Sequence, residues 1–185
     1  MPSILILHGL EGSGPDHWQT WLAERLRARG EQVRYPDLPK PFDPRPEEWL
    51  AALERELEGM EGAVVLCHSL ACLLWLRFAA GASDRCAEHV LLVAPPRRDD
   101  LPPVARFHPD GVSPADVQRV AGETLIVCSD NDPYCPPGAV TTYAEPLDIP
   151  AHVISGAGHI NTEAGFGEWP AVESWVLGDR TPLEA

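Results

Sequence analysis

A doubly wound α/β fold, in which a parallel sheet lies between two layers of helices, is what this sequence predicts. Three observations point to it. Short apolar runs of strand length recur along the chain, amphipathic helical stretches fall between them, and the runs do not alternate apolar with polar residues. Unalternating strands suit a parallel sheet covered on both faces, and right-handed crossovers wind the helices onto either side. A three-layer sandwich with about six mainly parallel strands, in the order 2-1-3-4-5-6, follows.

The first strand is the apolar run at 4–7, which ends in HGLEGSGP. From Pro15 onward Trp18, Trp21, Leu22 and Leu26 recur at helical spacing, and Gly30 stands where a C-cap is needed. Residues 32–35 form a short second strand, and the prolines of PDLPKPFDPRP exclude regular structure after it. A second amphipathic helix starts at Pro46. Glu47 and Glu48 favour its first turn, and Trp49, Leu50, Leu53 and Leu57 share one face.

The third strand is AVVLC, at 63–67, and Ser69 separates it from LACLLWLRFAA, a helix apolar almost all round and therefore buried. Strands four, five and six are expected at 89–94, 124–129 and 151–155. The segment between strands four and five is rich in proline and charge, with one short helix near 114–120, too small for a large lid. A last helix at 171–177 precedes a tail that is expected to fray from Gly178.

With 185 residues the chain makes one domain. Its net charge of −14 excludes a nucleic-acid or anionic-membrane partner, because a phosphate surface is repelled by most of the protein. The N-terminus lacks the basic segment and long apolar core of a secretory signal, so a cytoplasmic location is expected. Five cysteines without a CxxC pair argue against a disulfide framework or a zinc site, and neither metal nor cofactor is expected. No protein partner is indicated.

In an open parallel sheet, ligands bind beyond the carboxyl ends of the strands. The polar residues of interest all fall there. Strand three delivers Ser69, strand five delivers Asp130 and Asp132, and strand six leads to His159. Serine, acid, histidine is the chain order of an α/β-hydrolase triad, in which the histidine takes the serine's proton and the carboxylate orients the imidazole. Asp132 is preferred over Asp130 because it lies further along the loop and Pro133 stiffens the backbone behind it. The backbone amides of Leu10 and Leu70, after strand one and after the nucleophile, are the expected oxyanion donors.

Among the other histidines, His8 is assigned to bracing the first loop and His68 to packing or hydrogen bonding. His89, His108 and His152 belong to no constellation.

Four stretches, HGLEGSGPDHWQTW, CHSLA, SDNDPYCPPGA and GAGHINTEAGFGEWP, occur in an order that resembles the YdeN-like serine hydrolases, the group that includes the retinoblastoma-binding hydrolase. The resemblance runs from about residue 4 to 170. It implies a minimal α/β-hydrolase fold, with Ser69 as nucleophile, Asp132 as acid and His159 as base, acting on ester or amide bonds of small acyl substrates. It also implies that the pair His17 and Trp18 shapes the substrate pocket.

One departure stands out. The general elbow G-x-S-x-G has Cys67 and Ala71 in place of its glycines, so the turn is tight, and Cys67 is expected to shield the serine or make it oxidation-sensitive. Without a lid, an open site suits short acyl chains.

Two other readings compete. GLEGSG suggests a phosphate cradle, but its spacing is not GxGxxG and Glu11 repels phosphate. The second is a catalytically weak α/β-hydrolase-fold domain that serves protein interaction.

Overall fold

The computed structural model describes residues 3–60, 62–97, 99–179 and 183–184. Six parallel strands form one sheet in the order β2-β1-β3-β4-β5-β6. They are β1 (Ile4–Leu7), β2 (Val33–Arg34), β3 (Ala63–His68), β4 (Ala87–Val93), β5 (Ala121–Ser129) and β6 (Ala151–Ile154). The order reverses between β1 and β3, so their following loops diverge and leave a crevice between them.

Helices cover both faces. α1 (Trp18–Ala28) and α7 (Pro170–Val176) lie on one; α2 (Pro46–Leu57), α3 (Leu70–Gly81), α4 (Pro102–Arg106) and α5 (Pro114–Val120) lie on the other. The two cores follow from strand alternation. Ile4, Ile6, Val64 and Leu66 pack with Trp18, Leu22, Leu26 and Val172, whereas Leu5, Leu7, Val65 and Cys67 pack with Leu53, Leu73 and Leu74. α3 is buried from Leu70 to Leu76, which explains why it has no polar face.

Two departures from the sequence expectation have local causes. β5 begins at Ala121, immediately after α5, because Ala121 pairs with Ala87. Gly122 permits this, since a Cβ there would stand 2.7 Å from the Glu88 carbonyl oxygen. The β5–β6 crossover contains a helical stretch that proline and β-branched residues disguise: a π-helical turn, Val140–Ala144, running into α6 (Glu145–Leu147). It buries Tyr143, Ala144 and Leu147.

The tail from Gly178 is the segment expected to fray. Part of it lies outside the described residues, but Leu183 is buried, and the Glu184 carbonyl accepts a 2.7 Å bond from the Trp169 indole. At these two positions an apolar side chain and an indole donor hold the chain against the core. Among the described residues, no helix is long and apolar enough to cross a membrane.

Candidate active site

β3 ends at His68 and the chain turns at Ser69 straight into α3. Ser69 has φ 53° and ψ −120°, a strained conformation for a non-glycine residue. The corner is held by two backbone bonds: the Ser69 amide donates to Val93 and the Cys72 amide to Ser69, each at 2.9 Å. It presents the hydroxyl at the carboxyl edge of the sheet.

There the side chains of three strand-end loops meet. Ser69 Oγ lies 2.8 Å from His159 Nε2, and His159 Nδ1 lies 2.9 and 3.1 Å from the two carboxylate oxygens of Asp132. Asp132 and His159 are both buried. A carboxylate at Nδ1 places the ring proton there and leaves Nε2 as an acceptor for the serine hydroxyl.

Asp130 does not reach the imidazole. Its oxygens accept from Ser155 Oγ at 2.7 Å and the Gly156 amide at 2.8 Å, and these bonds hold its carboxyl below the usual range. Asn131 accepts from the Gly158 amide at 2.7 Å. Asp130 and Asn131 thus bind the loop ahead of His159 at successive points, and Asp132 binds His159 itself. Asn131 carried no sequence signal, because a lone loop asparagine reads as a turn former.

Two further rings pack against His159. Tyr134 lies 4.5 Å away and His68 5.1 Å away between ring centroids. His68 Nε2 donates to the His159 carbonyl at 3.0 Å. Burial, aided by His159 and His17, lowers the His68 pKa well below 6.5, so the ring is neutral.

The first loop approaches Ser69 closely. Gly9 makes this feasible, since a Cβ would stand 2.8 Å from Ser69 Cβ and 3.2 Å from the His68 carbonyl oxygen. His8 steadies the loop: its Nδ1–H donates to the Gly9 carbonyl at 2.8 Å and its Nε2 accepts from the Leu38 amide at 2.9 Å. Gln19, fully buried, ties α1 to the end of β1 through a 2.9 Å bond to the Leu7 carbonyl. Leu10 and Leu70 line one cleft with Ser69 and His159.

That cleft has a volume of about 340 Å³. Pro96, Leu101 and Val104 form an apolar wall, so the segment after β4 supplies part of the rim. A larger cavity of about 630 Å³ opens near the amino end of β5, between α5 and Trp175, and touches none of Ser69, Asp132 and His159. Size alone does not mark the site; the hydrogen-bonded side chains do.

Two expectations require correction. His17 lines the cleft, but Trp18 does not. His17 is the extended N-cap of α1 and Trp18 its first helical residue, so their side chains diverge and Trp18 enters the core, fully buried against Trp169. Its indole donates to the Ile160 carbonyl at 3.0 Å, next to His159, where Ile160 has φ 49°. Trp18 supports the histidine loop from below.

Cys67 likewise neither shields Ser69 nor exposes a reactive thiol. Strand alternation turns it into the core, where it is fully buried beside Cys72, and burial pushes its thiol pKa up.

A family model described as serine hydrolase matches residues 4–177. YdeN of Bacillus subtilis (strain 168) is 27% identical over 173 residues, covering 91% of each chain. The crystal structure of the ydeN gene product superposes with a TM-score of 0.84 at 23% identity, over 97% of this chain and 98% of that one. A monoacylglycerol lipase from Paleococcus ferrophilus gives a TM-score of 0.68 at 17% identity, over 97% and 96% of the two chains. Strand order, strained serine corner and family match converge: this chain belongs to the serine hydrolase family and has the α/β-hydrolase fold.

Proposed function

We propose that the protein hydrolyses esters of small acyl groups through a covalent acyl-enzyme. The observation that carries this reading is the continuous hydrogen-bonded run from Ser69 through His159 to Asp132, at 2.8 and 2.9 Å, on a strained corner. Ser69 Oγ attacks the acyl carbonyl carbon while its proton passes to His159 Nε2. Asp132 stabilises the imidazolium that forms. The negative oxygen of the tetrahedral intermediate is held by the amides of Leu10 and Leu70, each donor supplying about 3 to 4 kcal/mol to the transition state. Collapse returns the proton to the departing alcohol and leaves acyl-Ser69. Water, deprotonated by His159, then releases the acid.

A cleft of about 340 Å³ with a short apolar wall favours short acyl chains. Amides and thioesters use the same geometry and are secondary substrates in this reading. Its free cysteines, four of them buried, suit a reducing compartment, and a cytoplasmic location is part of the proposal.

Labelling with a fluorophosphonate probe tests it. Wild type should label and Ser69→Ala should not; equal labelling of both, or none of either, rejects the proposal and favours a non-catalytic interaction domain. Hydrolysis of p-nitrophenyl acetate, butyrate and octanoate should fall in that order, and a preference for octanoate would overturn the short-chain assignment.

A further inference from the structure

His17 holds a hydrogen-bond donor that the protein does not use. Its Nδ1 caps α1 by accepting from the Gln19 amide at 3.2 Å. Burial and the nearby His159 lower its pKa to about 4, so the ring is neutral and its proton resides on Nε2. No group among the described residues accepts from that Nε2–H. The residue is only 6% exposed, yet it lines the cleft that contains Ser69. That donor stands at the wall of the cleft rather than sealed in the core, so a ligand oxygen there can accept from it.

The position of His17 indicates which part of a substrate it meets. Its ring lies 4.8 Å from His68, which lies 5.1 Å from His159, the residue that protonates the departing alcohol. The His17 amide donates to Gly14, which lines the cleft with it, while Pro96, Leu101 and Val104 give the same cleft an apolar wall that suits the acyl chain.

We propose that His17 is a specificity-determining residue whose Nε2–H binds an acceptor oxygen in the alcohol portion of the ester. The inference rests on the hydrolase reading above. The substrates selected are esters whose alcohol carries an ether, hydroxyl or carbonyl oxygen. A hydrocarbon alcohol leaves the donor unpaired, and a site built to bond an oxygen discriminates against the analogue that lacks it.

Two isosteric esters provide the test, 2-methoxyethyl acetate and n-butyl acetate, which differ by one oxygen in place of a methylene. With rates normalised to hydroxide-catalysed hydrolysis, wild type should favour the ether by about tenfold in kcat/KM. In His17→Asn, which retains a good helix cap but is too short to place a donor where Nε2 stood, the ratio should fall toward one. Equal rates in wild type, or an unchanged ratio in His17→Asn, overturn the proposal.

A binding measurement separates this inference from the catalytic one. In Ser69→Ala labelled with ¹⁵N-histidine, the His17 Nε2–H resonance should move on titration with 2-methoxyethyl acetate and not with n-butyl acetate. No movement with the ether overturns the role of His17, even where wild type turns over esters. Movement without any Ser69-dependent turnover rejects the hydrolase reading and leaves the His17 site standing. If His17→Asn does not fold, the wild-type ratio and this titration decide.

Discussion

Asn131 Oδ1 accepts the amide of Gly158 at 2.7 Å, one residue before His159. With Asp130 bound to Ser155 and Gly156, and Asp132 to His159, it makes three consecutive side chains of one loop grip the next loop. The imidazole is therefore positioned from both its ring and its backbone, by the strand that also supplies the carboxylate.

Asn131→Ala should lower kcat for p-nitrophenyl acetate by roughly 10- to 100-fold with little change in KM, because a small displacement of the base costs that much. Asn131→Asp, which keeps an acceptor oxygen, should recover most of the rate. A lowered melting temperature with unchanged kcat would show that the grip serves stability alone.

Gly9→Ala tests the close approach of the first loop to the serine. The added Cβ would stand 2.8 Å from Ser69 Cβ, so the loop or the corner must shift. We expect a loss of about 1 to 3 kcal/mol in stability and slower fluorophosphonate labelling, on the order of 10²-fold. Gly81→Ala, where nothing lies within 4 Å of the new Cβ, should label at the wild-type rate.

Stability should fall as the pH drops below neutrality, and His17 should account for part of the loss. Its pKa is about 4 when folded and near 6.5 when unfolded, so between those values the unfolded chain binds more protons. The stabilisation is thus complete above about 6.5 and lost as the pH falls through the window, about 3 kcal/mol in all for this residue. His68 and His8, also held neutral by burial, add in the same direction. Urea unfolding between pH 7.5 and about 4 should give a shallower pH slope for His17→Asn than for wild type. Identical slopes would remove His17 from the explanation.

Strand order, the two helical layers and the loops that carry Ser69, Asp132 and His159 were legible in the sequence, because each leaves a local mark. Apolar runs mark buried parallel strands, helical spacing marks α1 and α2, and a parallel sheet delivers every such loop to one edge. The hidden helical turn at 140–147 and the early start of β5 left no such mark, since Pro146, the threonines and Gly122 read as loop.

Only the tertiary structure decided how neighbours in sequence divide their work. His17 and Trp18 read as one pair, yet the change from an extended N-cap to the first helical residue sends one ring into the cleft and the other into the core. Cys67 and Ser69 read as one crowded elbow, yet strand alternation buries the thiol while the strained corner exposes the hydroxyl. Periodicity along a chain specifies which residues share a face. Which face meets solvent, core or substrate depends on contacts with residues far away in sequence, and those exist only in the folded protein.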